Sequence, residues 1–541
     1  MNPETIRRRR WYILGVLTFS LLVVVLDNTI LNVALKTIAD PQEGLGATQS
    51  QLEWAINSYT LVFAGLLFTF GVIGDRLGRK RVLVAGMVMF GLASLLSAYS
   101  QSPEQLIGAR ALMGLGGAAI MPQTLSIITN VFDPQERGRA IGIWSGAVGL
   151  AIGVGPITGG LLLAHFWWGS VFLINVPVIA VGAVLIALLV PESRNPTPGR
   201  LDPVGVLLSI VGLVTLSYGI IQGGERGAWL EFGVLGPIAA GLAVLALFAR
   251  HEARSDHPAL DVRLFRDPRL SAAVAAIALC FFAAAGMFFF AGFYLQSVRG
   301  LSAFQSGAML LPFAVAQILF STRSAAMVHR FGAKAVCATG LLLVAAALAS
   351  YPLLGIGTGT PLWVLGAVFF VQGAGMANVM PPATESVMSA LPRERAGAGS
   401  ALNNTARQVA VAMGVAVLGS VLASIYRGEL AGRLAALPPG ARTVAAESIE
   451  GAHAVAERLG AAGQGLIGPA NAAFTEAMRT AAGAAAVIAF LGALVVLKWM
   501  PGRNAHREPE RAERAERGTG RGTGREKARG RRAAARERSR V

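Results

Sequence analysis

Charge is what this sequence has least of: only 14% of its 541 residues are Asp, Glu, Lys or Arg. A soluble domain carries about 25%, so there are too few charged groups here to cover a water-facing surface. Cysteine is nearly absent. Cys280 and Cys337 both lie inside apolar runs, with no CxxC pair and no Cys/His cluster. That excludes a disulfide scaffold and leaves no metal-ligand set. The six histidines include no HExxH arrangement, and G-x-x-x-x-G-K-[ST] occurs nowhere. An ATP-driven pump and a membrane-embedded metalloenzyme therefore both fall away. Strand-like alternation is missing too, which argues against a β-barrel. No catalytic residue, metal or cofactor is expected.

Apolar residues fill the space: 54% of the chain is hydrophobic and the mean hydropathy is +0.57. The apolar runs fall at 11–35, 52–73, 82–100, 105–130, 140–164, 171–190, 203–222, 232–250, 269–293, 305–328, 335–356, 362–383, 399–424 and 479–500. Each is close to the ~20 residues that cross ~30 Å of hydrocarbon. Inside lipid every backbone group must be satisfied locally, so the runs predict fourteen transmembrane helices and an all-α polytopic fold.

Orientation follows from the basic residues of the short loops. A cytoplasmic N-terminus (1–10) puts Arg7–Arg10, Arg76, Arg79, Lys80, Arg81, Arg137, Arg139, Arg194, Arg200, Arg254, Arg263, Arg266, Arg330, Lys334, Arg393 and Arg395 inside. The outer connections keep only Lys36, Arg226, Arg299 and four arginines in the long segment 426–478. Both termini are then cytoplasmic. No small-residue cleavage site follows the first run, so no signal peptide is expected. The segment 426–478 has helix-like stretches broken at Pro438, Pro439 and Gly440, and could cap the outer mouth or form a mobile loop. Residues 501–541 hold 14 Lys/Arg against 6 Asp/Glu and little that could fold. This basic disordered tail supplies much of the +17 net charge and suits anionic lipid at the inner leaflet rather than nucleic acid.

Acids are costly in a bilayer, about 2.5–3.5 kcal/mol each on insertion scales, so an intramembrane acid has a task or a partner. Asp27 lies ~24 Å along the first helix from Trp11, counting ~1.5 Å per residue, which places it in the outer half. Asn28 and Asn32 stand one turn apart, and Asp27 borders their face. A desolvated carboxyl can take up and release protons, which makes Asp27 a proton-coupling candidate. The competing reading is a packing acid permanently paired with a base. Arg110, buried in the fourth run, keeps its charge and either biases that acid or forms a structural ion pair. Glu385 and Arg407 are further candidates, the first for coupling, the second for pairing with it or lining the substrate path. Glu53 and Glu104 read as interfacial. The phenylalanine runs at 281–282 and 288–290 line an apolar pocket or face lipid, and His165 with Phe166, Trp167 and Trp168 reads as an interfacial belt.

Two glycine clusters stand out. GVIGDRLGRKRVL (71–83) joins the second and third spans, with Gly71, Gly74 and Gly78 permitting a tight turn and Asp75, Arg76, Arg79 and Lys80 offering charges. GVGPITGG (153–160) strips bulk from the fifth span through Gly153, Gly155, Gly159 and Gly160, while Pro156 removes a backbone donor. HRFGAK (329–334) is a degenerate echo of the first cluster, with His329 in place of an Asp, and implies a repeated unit.

These segments resemble the major facilitator superfamily. Residues 71–83 are similar to its loop signature G-x-L-A-D-R-x-G-R-K-x-x-L, departing at Ile73 and Gly74. LDNTILNVAL (26–35), LIGARALMGLGGAA (106–119), GVGPITGG, FLINVP (172–177) and the 403–420 run resemble signatures of its fourteen-helix drug:proton antiporters, the EmrB/QacA-like family. Lys36, Met113 and Ala151 depart from the usual Pro, Gln and Gly. The resemblance implies two six-helix halves, 11–190 and 269–500, with two inserted helices at 203–250.

It also implies a proton-driven secondary transporter exporting lipophilic drugs or antibiotics across a bacterial cytoplasmic membrane, without enzymatic activity; nothing in the spans demands more than a monomer. Relatives specialised for quaternary cations often carry an acid where Asn57 lies, and some place one near Arg407 and Gln408. Neutral or monovalent lipophilic antibiotics accordingly fit better than dications. Proton-coupled movement of another small molecule, by uptake or metabolite export, stays open, as does a non-transporting sensor on the same fold.

Overall fold

A computed structural model describes residues 3–194, 202–227, 229–255, 262–389, 396–435, 437–460 and 463–500. The basic tail lies outside the described residues. Regular structure among the described residues is entirely helical, in the order α1 (Pro3–Ala39), α2 (Gln49–Leu77), α3 (Arg79–Ala98), α4 (Pro103–Val131), α5 (Pro134–His165), α6 (Ser170–Leu173), α7 (Asn175–Leu189), α8 (Pro203–Arg226) and α9 (Phe232–Arg254). Then follow α10 (Pro268–Phe293), α11 (Ala303–Ala308), α12 (Leu311–Phe331), α13 (Ala333–Leu353), α14 (Leu362–Ser389), α15 (Ala396–Leu434), α16 (Pro439–Glu447), α17 (Ile449–Leu459) and α18 (Gln464–Trp499). Among the described residues twelve helical stretches are long and apolar enough to cross a membrane, or thirteen when the bent α2 is counted as one span. The fourteen expected are not all met. The remaining run falls on α5, many of whose side chains from 137 to 153 lie outside the described ones, and there the described apolar stretch is Val154–His165.

Local chemistry sets the helix starts. Thr48 and Gln51 form a reciprocal capping box ahead of α2, and Ser302 and Gln305 repeat it ahead of α11. Asp202 and Asp267 cap α8 and α10, each followed by a proline at the first helical position, where no donor is lost. The links between α2 and α3 and between α12 and α13 are single glycines, Gly78 at φ +114° and Gly332 at φ +88°. Few other residues tolerate those angles. The echo between GVIGDRLGRKRVL and HRFGAK is thus an echo of backbone geometry.

Small residues let the helices close up. A Cβ on Gly86 of α3 would stand 2.7 Å from Ala119 Cβ of α4, and one on Gly340 of α13 would stand 2.7 Å from the Gly375 carbonyl of α14. Without a hydrophobic drive between helices in lipid, such close packing is what holds a bundle together. Leu92, Leu96, Val184, Leu188, Leu242 and Leu247 stay exposed, as lipid-facing side chains do.

Among the N-terminal helices, α4 packs on α2 and α3, α5 on α1, and α7 on α3 and α1. In the C-terminal set, α13, α14, α15 and α18 surround α10. The sets meet through α2 with α15, α5 with α11 and α12, and α1 with α10. The pair α8–α9 is a hairpin whose first helix lies against both α2 and α15. Ser420 of α15 donates to the Ile220 carbonyl of α8 (3.0 Å), and Arg427 donates to that of Gly224 (3.3 Å).

Helices also run past the lipid. α1 begins eight residues before its apolar run, α15 continues to Leu434, and α18 starts at Gln464 rather than 479. The 426–478 segment is therefore mostly helical, with α16 starting at Pro439, one of the expected breaks.

Candidate functional site

Four helices converge on Asp27. α1 brings the carboxylate, α4 brings Arg110, α7 brings Asn175 and α3 brings Ser94. Asp27 is 1% exposed and Arg110 is fully buried. Arg110 Nη1 forms an ion pair with Asp27 Oδ2. Asn175 Nδ2 donates to Asp27 Oδ1 (3.0 Å) and lies 3.3 Å from Ser94 Oγ. Both carboxylate oxygens are therefore engaged, by one charged and one neutral donor.

The guanidinium is held from several sides. Its Nε donates to the Ala55 carbonyl of α2 (3.1 Å), and its carbon stands 4.5 Å from the centre of the Tyr59 ring, as in a cation–π contact. Its Nη2 is a buried donor without a hydrogen-bond partner among the described residues. Tyr59 lies within electrostatic reach of Asp27, Arg110 and Arg407, so one aromatic ring sits among the site's charges.

The remaining predicted residues fall in three places. Asn28 and Asn32 donate to carbonyls one turn back along α1, Val24 (3.0 Å) and Asn28 (3.1 Å), so their amides are committed to the helix as well as facing its polar side. Asn57 is fully buried, with neither amide atom bonded among the described residues. Arg407 donates to Asn404 (3.2 Å) and stands 5.6 Å from the Phe281 ring centre, rather than pairing with Glu385. Glu385 is exposed near the end of α14, apart from the Asp27 cluster.

Other expectations are corrected. Glu53 is 2% exposed, not interfacial: a Cβ on Gly419 of α15 would run into its carboxylate, so α2 and α15 bury it between them. Of the phenylalanine runs, Phe289 and Phe290 are buried and stack with Phe293 towards Phe474, whereas Phe281, Phe282 and Phe288 stay partly exposed. Glu104 is exposed, accepting from Gln51 (2.7 Å). His165, Phe166 and Trp167 are exposed, while Trp168 is buried.

In the 71–83 cluster, Arg79 pairs with Asp75 (2.8 Å) and donates to the Ser126 carbonyl of α4 (3.2 Å). Lys80 donates to the Ala187 carbonyl at the end of α7 (2.7 Å), and its backbone N–H donates to Glu192 (3.1 Å). Arg76 is exposed, and a side chain at Gly78 would meet Glu192. Gly74 gives room to the Gln123 amide, and Gly71 lies by Pro122. The cluster thus ties α2 and α3 to α4 and to the chain following α7.

The second glycine cluster is wedged between the two helix sets. Gly155 faces Thr29 and Gly159 faces Ile30, both on α1, while Gly160 faces Ala303 and Phe304 at α11. The Pro156 carbonyl approaches Gly307. Gly153 lies outside the described side chains.

Asn175 and Tyr59 were missed by sequence reasoning. An amide inside the apolar run of FLINVP was the available signal for the first. Among the described residues no group of three or more His, Cys, Asp or Glu could hold a metal.

Residues 17–415 match the family model of the Major Facilitator Superfamily. The chain is 36% identical over 499 residues to the multidrug efflux pump LfrA of Mycolicibacterium smegmatis, covering 92% of this chain and 97% of the relative. It is 35% identical over 423 residues to the tetracenomycin C resistance and export protein of Streptomyces glaucescens, covering 77% of each. Its fold is similar to the inward-facing, unoccupied crystal structure of a bacterial homologue of the human lysosomal transporter Spinster, at a TM-score of 0.62, 19% identity, and 91% and 99% coverage. On the family match and the LfrA-length likeness together, this chain belongs to the major facilitator superfamily.

Proposed function

We propose that the chain is a proton-driven exporter of lipophilic drugs or antibiotics, working as a monomer in a bacterial cytoplasmic membrane. Drug efflux is supported by the relatives, whose names specify multidrug efflux and antibiotic export. Proton coupling rests on one observation: a membrane-buried carboxylate, Asp27, shares its contacts with a permanently charged Arg110 and a neutral Asn175.

In this reading a proton from outside neutralises Asp27. Arg110 keeps its charge and loses its counterion, so the bond network joining α1, α4 and α7 loosens. Deprotonation towards the cytoplasm restores it. The buried amide of Asn57, Arg407 and Tyr59 offer polar anchors for a mostly apolar ligand. Asn28 and Asn32 add a polar edge. Glu385 is a secondary acid at the cytoplasmic end.

The arginine-rich end, with both termini, faces the cytoplasm, and the α1–α2 and α13–α14 loops face out. α5 counts as the fourteenth span, which gives two six-helix halves, 11–190 and 269–500, around the inserted α8–α9. That is the arrangement of the EmrB/QacA-like drug:proton antiporters. The two glycine clusters serve the conformational change, the first by keeping α2–α4 and the end of α7 one body, the second by letting α5 slide between α1 and α11. The basic tail rests on anionic lipid.

The test is proton flux in liposomes with an imposed pH gradient, on adding tetracenomycin C or ethidium. Wild type is expected to move protons when the drug is added, and Asp27→Asn is not. Drug-independent movement, or inward accumulation of the compound, would favour transport of another small molecule.

A further inference from the structure

At the end carrying the α13–α14 loop, α10 does not finish as an α-helix. Tyr294–Val298 wind as a π-turn, and all five residues are buried. A π-turn widens the backbone ring and re-aims side chains, which is why such turns gather at functional positions. Here it sends three polar side chains in three directions.

Gln296 reaches the other half. Its Nε2 donates to the Val33 carbonyl of α1 (3.0 Å), and Lys36 Nζ of α1 donates to the Gln296 carbonyl (3.2 Å). Ser297 donates to Glu450 of α17. Tyr294 Oη donates to the Gly357 carbonyl in the α13–α14 loop (2.8 Å). Of these bonds, those of Tyr294 and Ser297 stay within the C-terminal set, whereas the two with α1 cross between sets. Gln296 is 4% exposed and Glu450 5%, so little water competes for either.

We propose that this π-turn is the latch of the outer mouth, anchored in the C-terminal half by Tyr294 and by Ser297–Glu450, and closed on the N-terminal half by the Gln296–Val33 and Lys36–Gln296 exchange. Opening breaks the two crossing bonds and leaves the anchors in place. The packing around it agrees: a Cβ on Gly292, one turn before, would stand 2.7 Å from the Asn32 carbonyl, and one on Gly160 would stand 2.6 Å from Phe304 Cα. Backbones of the two halves thus touch on this side with no side chain between them. Sidedness rests on the proposed orientation; the latch does not depend on which ion drives the cycle.

The experiment places spin labels at Gln42→Cys and Thr358→Cys, both exposed and on opposite sides of the mouth. Cys280 and Cys337 are replaced by alanine, and the full chain is studied in lipid nanodiscs. Pulsed electron–electron distances are expected to show one dominant short population. Gln296→Leu and Lys36→Met should each raise the long-distance population about fivefold to tenfold, the effect of losing one or two buried hydrogen bonds. Lys36→Arg, which keeps a donor, should leave the distribution as in wild type. Lys36 is only half-buried, so Lys36→Met tests the latch even if Gln296→Leu does not fold. Unchanged distances in Lys36→Met would overturn the latch. The readout needs no drug and no proton gradient, so its failure is separate from a failure of the exporter reading.

Discussion

Asp27 and Arg110 are 83 residues apart in the chain and meet with almost no solvent around either. A buried pair of this kind contributes little net stability, but removing one partner strands a charge and costs about 3–5 kcal/mol. Arg110→Met should therefore lower the thermal midpoint of the purified protein sharply, while Arg110→Met combined with Asp27→Asn should recover much of it. A double variant as unstable as the single one would mean that the arginine's other contacts, with Ala55 and Tyr59, carry the effect. Asn175 makes a separate prediction. Asn175→Ala leaves the charge balance intact but frees Asp27 Oδ1, so drug-triggered proton flux should fall severalfold with drug binding kept. A flux equal to wild type would make Asn175 a packing residue only.

Sequence reasoning found both charges, because each interrupts an apolar run. It left their pairing open, since nothing in a sequence says which helices touch. Glu53 went wrong for the same reason: its place near a helix start reads as interfacial, and only α15 lying across it makes it buried.

At the level of elements, α5 carries the sharpest constraint. Gly155 and Gly159 face α1, while Gly160 faces α11. Gly160→Leu should push the two helix sets apart at the π-turn end, leaving a folded protein whose labels at 42 and 358 show the long distance and whose transport is lost. Transport near wild type would mean the helices repack around the added bulk. α17 makes a pH prediction. Burial first of all holds the Glu450 carboxyl above the usual range, with Asp40 adding to it, while the Ser297 bond, Lys36 and His453 pull the other way. Tyr426 of α15 also lies in its field. Relative to the unfolded chain, a carboxyl held above its ordinary value, about 4.3, adds stability that is complete below that value and is lost as pH rises through the raised one. The thermal midpoint of the purified protein should therefore fall as pH rises across this window, and Glu450→Gln, neutral throughout, should remove that part of the dependence. An unchanged pH response in Glu450→Gln would assign it to another group. The π-turn had no sequence signal, because Tyr294–Val298 follow the apolar run 269–293 and match no motif. The helices beyond the lipid were invisible to hydropathy too, since Ala, Glu and Arg favour helix without being apolar.

Taken as a whole, the molecule shows two helix sets that meet through α2 with α15, α5 with α11 and α12, and α1 with α10, with α8 lying against both α2 and α15. Its membrane character was legible from composition alone, as lipid demands apolar runs of fixed length. Among the described residues twelve or thirteen spans qualify; the fourteenth run falls on α5, where many side chains from 137 to 153 lie outside the described ones. The echo of residues 71–83 in HRFGAK was legible despite the lost Asp, and both segments turn on one glycine of positive φ, Gly78 and Gly332. What joins these scales is competition: if drug and proton exchange through Asp27, binding one should expel the other. The direct measurement adds tetracenomycin C or ethidium to purified protein in weakly buffered detergent and follows pH with an indicator dye, with binding recorded in parallel. The account predicts drug-dependent proton release from wild type and none from Asp27→Asn that still binds the drug. Equal release from both would contradict it and place the coupling proton on another group.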